Sequence, residues 1–238
     1  MAKRPIPSVA ADFTSVVTFL TDQGIIPAAA PVKLLENARR IHRATFSLIS
    51  WRFHLKHIPT HGKVFLEEIA SDALQILPQM LMGYGKTAKV LIRGIVENTL
   101  RHLYFSDHPI EFERMNREQR WYVKMEDLFD YAKIHPAFLR TESKFDAISR
   151  LASLHSDLSA GVHGRQVQDL EMRVALKKIV YSQSDANKQT QLVERCTQSA
   201  NFVLAVFHQE RLAHFQPEDR RIILQTIPPR GRNVWTHL

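Results

Sequence analysis

The chain has 238 residues, 45% of them hydrophobic and 24% charged, a composition typical of a globular protein with a sizeable core. Its formal net charge of +8 favours a polyanionic partner. The single cysteine, Cys196, excludes an intramolecular disulfide and fits a reducing compartment. No signal-peptide pattern follows Met1 and no apolar run reaches the roughly 20 residues of a membrane span, so we predict a cytoplasmic protein without membrane contact.

Apolar residues recur at helical spacing along the whole chain, and no stretch alternates as a strand would. We predict an N-terminal extension over 1–30 that contains a short helix from Asp12 to Asp22. Further helices are predicted over 32–58, 63–82, 84–105, 109–133, 141–162, 166–181 and 186–215, with a short one from Pro217. The expected fold is an all-α helical bundle of about eight helices over 31–227, followed by an exposed basic tail over 228–238.

The segment from Lys33 to Lys63 is strongly basic, with seven lysines and arginines against one carboxylate, Glu36. Phe46, Trp51 and Phe53 are interleaved with these charges. Two interpretations are open: a nucleic-acid surface with stacking aromatics, or a solvated basic face whose aromatics belong to the core. The candidate nucleic-acid-binding residues are Lys33, Arg39, Arg40, Arg43, Arg52, Lys56 and Lys63.

A polar stripe runs through the helix predicted over 141–162. His155, Ser159 and His163 follow one another at four-residue spacing and lie among apolar positions such as Leu151 and Leu158. Polar groups in such surroundings need hydrogen-bond partners. The best candidate for the facing segment is the helix that carries Arg93, Glu97 and Arg101 on successive turns, where Arg93 lies at the edge of the apolar face.

At these two stretches the chain resembles the HEPN superfamily of helical bundles. The motifs are Arg93-Gly-Ile-Val-Glu97 and Leu158-Ser-Ala-Gly-Val-His163-Gly164, and the resemblance covers residues 84–165. It implies an all-α bundle that forms a homodimer or other homo-oligomer. It also implies a metal-independent endoribonuclease of a bacterial antiviral-defence, toxin or RNA-processing system.

The hallmark of such nucleases is an arginine followed, a few residues later, by a histidine. Arg150-Leu-Ala-Ser-Leu-His155 matches it literally, whereas His163 has no arginine at that spacing. RNA cleavage needs a base, an acid and a cation, which histidine and arginine supply. The candidate catalytic residues are therefore Arg93, Glu97, Arg150, His155, Ser159 and His163.

Two functions from different classes remain open at this point. The first is an RNA-binding protein that cleaves RNA at the polar stripe. The second is a non-catalytic subunit that binds nucleic acid or protein in a larger defence or nucleoprotein assembly, with the stripe as a structural seam. No cofactor motif is present. His54, His57 and His61 are separated by helix breakers and lack further ligands nearby, so no metal site is predicted.

Overall fold

The structure, a computed structural model, describes residues 7–163, 175 and 179–235, with side chains for all of these except 161–163. The described residues form twelve α-helices and a short 3-10 helix, with no strand, so the predicted all-α fold is confirmed. The helices are α1 (Val9–Asp22), α2 (Val32–His54), α3 (Thr60–Leu81), α4 (Gly85–Asp107), α5 (Pro109–Arg117), α6 (Met125–Ile134), α7 (Pro136–Leu139), α8 (Ala147–His163), α9 (Gln183–Phe207), α10 (Gln209–Ala213), α11 (Pro217–Thr226) and α12 (Pro229–Arg232). None of them is both long and apolar enough to cross a lipid bilayer.

Helix α9 lies at the centre of the bundle, in contact with α2, α4, α8 and α11. Its last six residues, 202–207, are apolar on every side, the pattern of a helix surrounded by others. The five consecutive residues from Phe202 to Val206 are all buried. Cys196, on the same helix, is buried as well.

A buried polar centre joins three helices around Asn201 of α9. Its side-chain oxygen accepts a hydrogen bond from the Trp51 indole of α2 at 2.8 Å. Its amide nitrogen donates to Ser47 Oγ of α2 and to Thr226 Oγ1 of α11, each at 2.7 Å. Because all these groups are paired inside the core, they fix how α2 and α11 sit on α9.

Several predicted helix boundaries are wrong. The helix predicted over 109–133 is divided into α5 and α6, because residues 113–120 contain a single apolar side chain, Met115, and cannot supply a continuous buried face. Prolines at the first turn of α5, α7 and α12 begin further short helices, so the helices outnumber the predicted eight or so. The helix predicted over 166–181 falls mostly outside the described residues.

The predicted exposed tail is also wrong for part of its length. Residues 229–235 form α12 and the 3-10 helix, and Trp235 is buried against Phe202. A Cβ added to Gly231 would lie 3.2 Å from the Phe145 side chain, so only glycine allows this close approach. Arg230 and Arg232 remain exposed, as expected of a basic surface.

Candidate functional site

The helices that bear the two sequence motifs, α4 and α8, pack against each other. Arg93, Glu97 and Arg101 lie one turn apart on α4, so their side chains form a row along one side of the helix. His155 projects from α8 onto the middle of this row. The facing segment predicted for the polar stripe is therefore the one observed.

Glu97 is the hub of this contact. Its Oε1 accepts a hydrogen bond from Arg93 Nε at 2.8 Å and lies 3.2 Å from His155 Nε2. Its Oε2 lies 3.3 Å from a terminal nitrogen of Arg101. Arg101 also donates to the Asn98 side-chain oxygen at 3.2 Å. One carboxylate thus joins an imidazole and two guanidinium groups in a cluster that we call the Glu97 cluster.

The electrostatics of this cluster keep Glu97 ionised. Burial opposes ionisation, but the hydrogen bond from His155 and the charges of Arg101 and Arg93 outweigh it, so the pKa of the Glu97 carboxyl lies below its ordinary value. An ionised carboxylate can only accept hydrogen bonds, so His155 donates through Nε2. In the neutral imidazole Nδ1 is then the acceptor, which is the form a general base requires.

The cluster lies at the edge of the core, where water and a ligand can reach it in part. The side chains of Glu97 and His155 are each 16% exposed, and that of Arg93 is 25% exposed. Phe129 of α6 contacts the His155 ring at an angle, with 6.0 Å between the ring centres. Such a half-buried setting strengthens electrostatic interactions and still leaves one side of the cluster open.

Asp72 of α3 lies beside the cluster and was missed in the sequence. A Cβ on Gly94 would collide with its carboxylate, so the glycine between Arg93 and Glu97 makes room for this acidic side chain. Burial and the charges of Glu68 and Glu97 raise the pKa of Asp72 to about 6. No sequence signal linked it to the motif, because it lies on a different helix with ordinary amphipathic spacing.

The other predicted catalytic residues have different surroundings. Arg150 bonds to Asp146 at 2.8 Å and its guanidinium lies 4.9 Å from the centre of the Phe145 ring, so the literal arginine–histidine match does not form a pair with His155. Ser159 is buried, and its Oγ has no hydrogen-bond partner among the described residues. His163 is the last residue of α8, and its side chain lies outside the described residues.

The start of α8 is held by Glu142, a second residue that the sequence did not single out. Its carboxylate accepts hydrogen bonds from the backbone N–H groups of Ile148 at 3.1 Å and Ser149 at 3.2 Å. These are unpaired donors of the first turn, where a negative charge is also favoured. Glu142 thereby fixes the first turn of the helix that carries His155.

The predicted basic surface lies on α2 and the beginning of α3. Six of its seven residues are exposed, and Lys63 is half-buried. Two of the charges are engaged: Arg40 forms a two-pronged ion pair with Glu194, and Lys63 lies 3.7 Å from Glu67. Arg43 donates to the Gln225 side chain at 2.6 Å.

Of the interleaved aromatics, only Phe53 reaches the surface. It is 41% exposed, whereas Phe46 and Trp51 are core residues at 4% and 0%. The expectation that Phe46 and Trp51 stack on nucleic-acid bases is wrong, because both side chains lie on the apolar face of α2 and are buried in the bundle. The surface therefore consists mainly of positively charged side chains, which suits a sequence-independent contact with phosphates.

A pair of buried histidines joins α4 to the end of α9. His102 Nε2 and His208 Nε2 are 2.7 Å apart, and His102 Nδ1 is 2.9 Å from the Gly62 carbonyl oxygen. The carbonyl only accepts, so His102 carries its proton on Nδ1, and His208 donates to it through Nε2. Burial lowers the pKa of His102 to about 4, and burial with the neighbouring His102 and Arg211 lowers the pKa of His208 to about 2.

Other histidines also have partners of their own. His54 stacks on Phe215 with 4.1 Å between the ring centres and lies 3.0 Å from the buried Asp219 carboxylate, whereas His61 contacts Phe112. Within the described part of the chain, no three His, Cys, Asp or Glu side chains are placed to hold a metal ion.

Comparisons of the chain with family models, with curated proteins and with solved structures gave no match. The HEPN relationship expected from the two motifs therefore stays a prediction. The geometry adds one fact to it, namely that the helices bearing the two motifs meet through Glu97 and His155.

Proposed function

We propose that this protein is a HEPN-like RNA-binding protein that cleaves single-stranded RNA without a metal ion at the Glu97 cluster. The observation that carries the proposal is the contact of His155 with Glu97 between two arginines. A histidine oriented by a carboxylate supplies a base, and arginine supplies the positive charge that phosphate chemistry needs. A defence or toxin role is the setting that the family resemblance suggests.

In the proposed reaction His155 Nδ1 accepts the proton of a ribose 2′-hydroxyl. The 2′-oxygen then bonds to the adjacent phosphorus, and the bond from phosphorus to the 5′-oxygen breaks. The same imidazole returns the proton to the departing 5′-oxygen, so the products are a 2′,3′-cyclic phosphate and a 5′-hydroxyl. Arg93 stabilises the charge that develops on the phosphate oxygens. Glu97 holds the imidazole in the required tautomer and orientation.

The exposed cations of α2 would hold the rest of the strand. Arg52 and Lys56 are the clearest probes, because both are exposed and lie outside the ion pairs of Arg40 and Lys63. Removing one cation that binds a phosphate should reduce the slope of log affinity against log salt concentration by about one, because one counterion fewer is released on binding. We therefore expect Arg52→Gln and Lys56→Gln to weaken RNA binding equally for different sequences and to flatten its dependence on salt.

The test of cleavage uses labelled single-stranded RNA in the presence of EDTA. We expect wild-type protein to release fragments with a 2′,3′-cyclic phosphate and a 5′-hydroxyl. His155→Asn, which keeps a hydrogen-bonding group toward Glu97, should lower this activity by at least about 100-fold. Arg150→Gln is the matched control and should retain it, because Arg150 pairs with Asp146 away from the cluster.

The second candidate function is a non-catalytic nucleic-acid- or protein-binding subunit. It is favoured by the engagement of Arg101 and Arg93 with Glu97, which makes the cluster a satisfied polar seam between α4 and α8. Binding without cleavage, unchanged by His155→Asn, would support this candidate. Absence of both binding and cleavage would contradict an RNA function and leave a protein partner for the basic surface.

A further inference from the structure

A cavity of about 520 Å³ lies where α1, α2 and α11 meet, and we call it the α1–α2–α11 cavity. This volume falls within the range of small-molecule sites. Its wall combines apolar side chains, such as Phe13 and Ile222, with three arginines: Arg39, Arg43 and Arg221. The cavity thus offers an apolar surface and a concentrated positive charge in one place.

Two of the three arginines are oriented by contacts with neighbouring side chains. The Arg39 guanidinium lies 5.3 Å from the centre of the Phe13 ring, and Arg43 is oriented by its hydrogen bond to Gln225. Arg221 lies exposed on α11 on the same wall. Glu218 is the one carboxylate among the described lining residues, so the positive charges exceed the negative ones by two. Guanidinium groups bind phosphate oxygens with matching geometry.

The beginning of α1 also faces the cavity, through Ser8, Val9 and Ala10. The first N–H groups of a helix have no partner within it and attract anions. Ser8 Oγ already accepts the Ala11 N–H, so the helix start is well formed. A 14-residue helix therefore directs its positive end to the same space as the three arginines, and the one carboxylate in its first turn, Asp12, is paired with His42.

A buried histidine in the wall gives independent support. His42 Nε2 is held by the Asp12 carboxylate at 2.7 Å, and the side chain is only 7% exposed. Its other nitrogen, Nδ1, is buried and has no hydrogen-bond partner among the described residues. Such an unsatisfied nitrogen is rare in a folded protein and calls for a partner such as a water molecule or an ion.

We infer that the α1–α2–α11 cavity binds a phosphate monoester attached to an apolar or aromatic group, as in a nucleoside monophosphate. The phosphate lies among Arg39, Arg43 and Arg221 at the start of α1, and the base or sugar lies against Phe13 and Ile222. The same chemistry is present at the 5′ end of a phosphorylated RNA strand. The inference does not depend on cleavage at the Glu97 cluster, which lies on other helices.

The surroundings leave room for the longer ligand. Gln225 also lines two smaller cavities, one beside Arg40 and Thr197, and one beside Arg220 and Arg232. An RNA strand whose 5′ phosphate occupies the α1–α2–α11 cavity could continue along either of these smaller cavities. A free nucleotide would fill the main cavity alone, so the length of the bound ligand separates the two sources.

The experiment measures binding calorimetrically with AMP and adenosine, and by fluorescence anisotropy with 5′-phosphorylated and 5′-hydroxyl oligoribonucleotides of one sequence. His155→Asn protein serves throughout, so that a cleavage activity cannot consume the RNA. The two pairs compared are AMP with adenosine, and the 5′-phosphorylated with the 5′-hydroxyl oligoribonucleotide. In at least one pair we expect the phosphorylated member to bind at least tenfold more tightly than the other. A preference shown by AMP identifies a free nucleotide as ligand, and one shown only by the oligonucleotide identifies the strand end.

Arg39→Gln and Arg221→Gln should each remove most of this preference, while Arg117→Gln, also exposed but on α5 outside the cavity, should leave it unchanged. Equal binding of both members in each pair would overturn the inference. So would a preference that survives both cavity variants. Thermal melting of each variant confirms that it folds, and neither result bears on whether His155 cleaves RNA.

Discussion

The His155 imidazole and the Glu97 carboxylate lie 3.2 Å apart although 58 residues separate them in the chain. Glu97 receives hydrogen bonds from its own helix through Arg93 and from α8 through His155. It therefore couples the position of α8 to the charge row of α4. The orientation of the imidazole depends on a group that would not itself touch RNA.

This coupling predicts the behaviour of Glu97→Gln. The amide retains the shape of the side chain but lacks the charge that holds both arginines and selects the imidazole tautomer. In the cleavage assay we expect kcat to fall on the order of 100-fold with little change in KM, the pattern of a misplaced catalytic group. Single-turnover kinetics with excess protein measure the chemical step directly.

The control for Glu97→Gln is Glu118→Gln. Glu118 also pairs with an arginine one turn away, Arg114, but on an exposed part of the chain. The variant Glu118→Gln should leave kcat unchanged. A rise in KM alone for Glu97→Gln would show that Glu97 serves RNA binding and not the orientation of His155.

The capping role of Glu142 predicts a decrease in stability when it is removed. Glu142→Ala leaves the Ile148 and Ser149 N–H groups without their acceptor and should cost about 1–2 kcal/mol in the free energy of unfolding. Urea denaturation followed by circular dichroism gives this value. Glu113→Ala removes an exposed pair with Arg117 and should change it by less than about 0.5 kcal/mol. Equal changes in the free energy of unfolding for the two variants would contradict the role of Glu142 as the cap of α8.

Asp72 predicts a stability that falls as the pH rises. The pKa of its carboxyl is 3.8 in the unfolded chain and about 6 in the fold, so between these values the folded state binds more protons. The contribution of Asp72 to the free energy of unfolding therefore decreases across this window, by up to about 3 kcal/mol. Asp72→Asn should raise the melting temperature at pH 7.5 and have little effect at pH 4. Equal destabilisation at both pH values would show that the carboxylate is structurally required.

The His102–His208 pair predicts the opposite slope at acidic pH. Both imidazoles stay neutral in the fold, whereas the unfolded chain protonates them below about pH 6.5, so the contribution of this pair to stability rises with pH between about 4 and 6.5. Nitrogen-15 NMR of the ring atoms should show His102 protonated on Nδ1 and His208 on Nε2. Neither set of signals should move between pH 5 and 8. Titration of either ring in that range would contradict the neutral pair.

The sequence predicted the helical fold and the contact between the two motifs, because helical spacing shows which residues share a face. It placed Arg93 at the edge of an apolar stripe and the polar groups of α8 opposite to it, and burial then brought the two together. It also named Arg150 as a catalytic residue from its spacing to His155, but Arg150 contacts Asp146 and Phe145 instead, since the direction of an arginine depends on such local partners.

The remaining features depend on contacts between distant segments. Asp72 reaches the cluster only because Gly94 lacks a side chain, and His42 needs Asp12 from another helix. Neither pair has a spacing that marks it in one sequence. The α1–α2–α11 cavity likewise combines three separate helices, so its charge appears only after folding.

The Asn201 centre makes helix α11 a condition for a correct core. Without Thr226, the amide of Asn201 lacks one of its two acceptors inside the bundle, and the wall that α11 gives to the cavity is missing as well. A polypeptide released before this point would have both an unsatisfied interior and an incomplete ligand pocket.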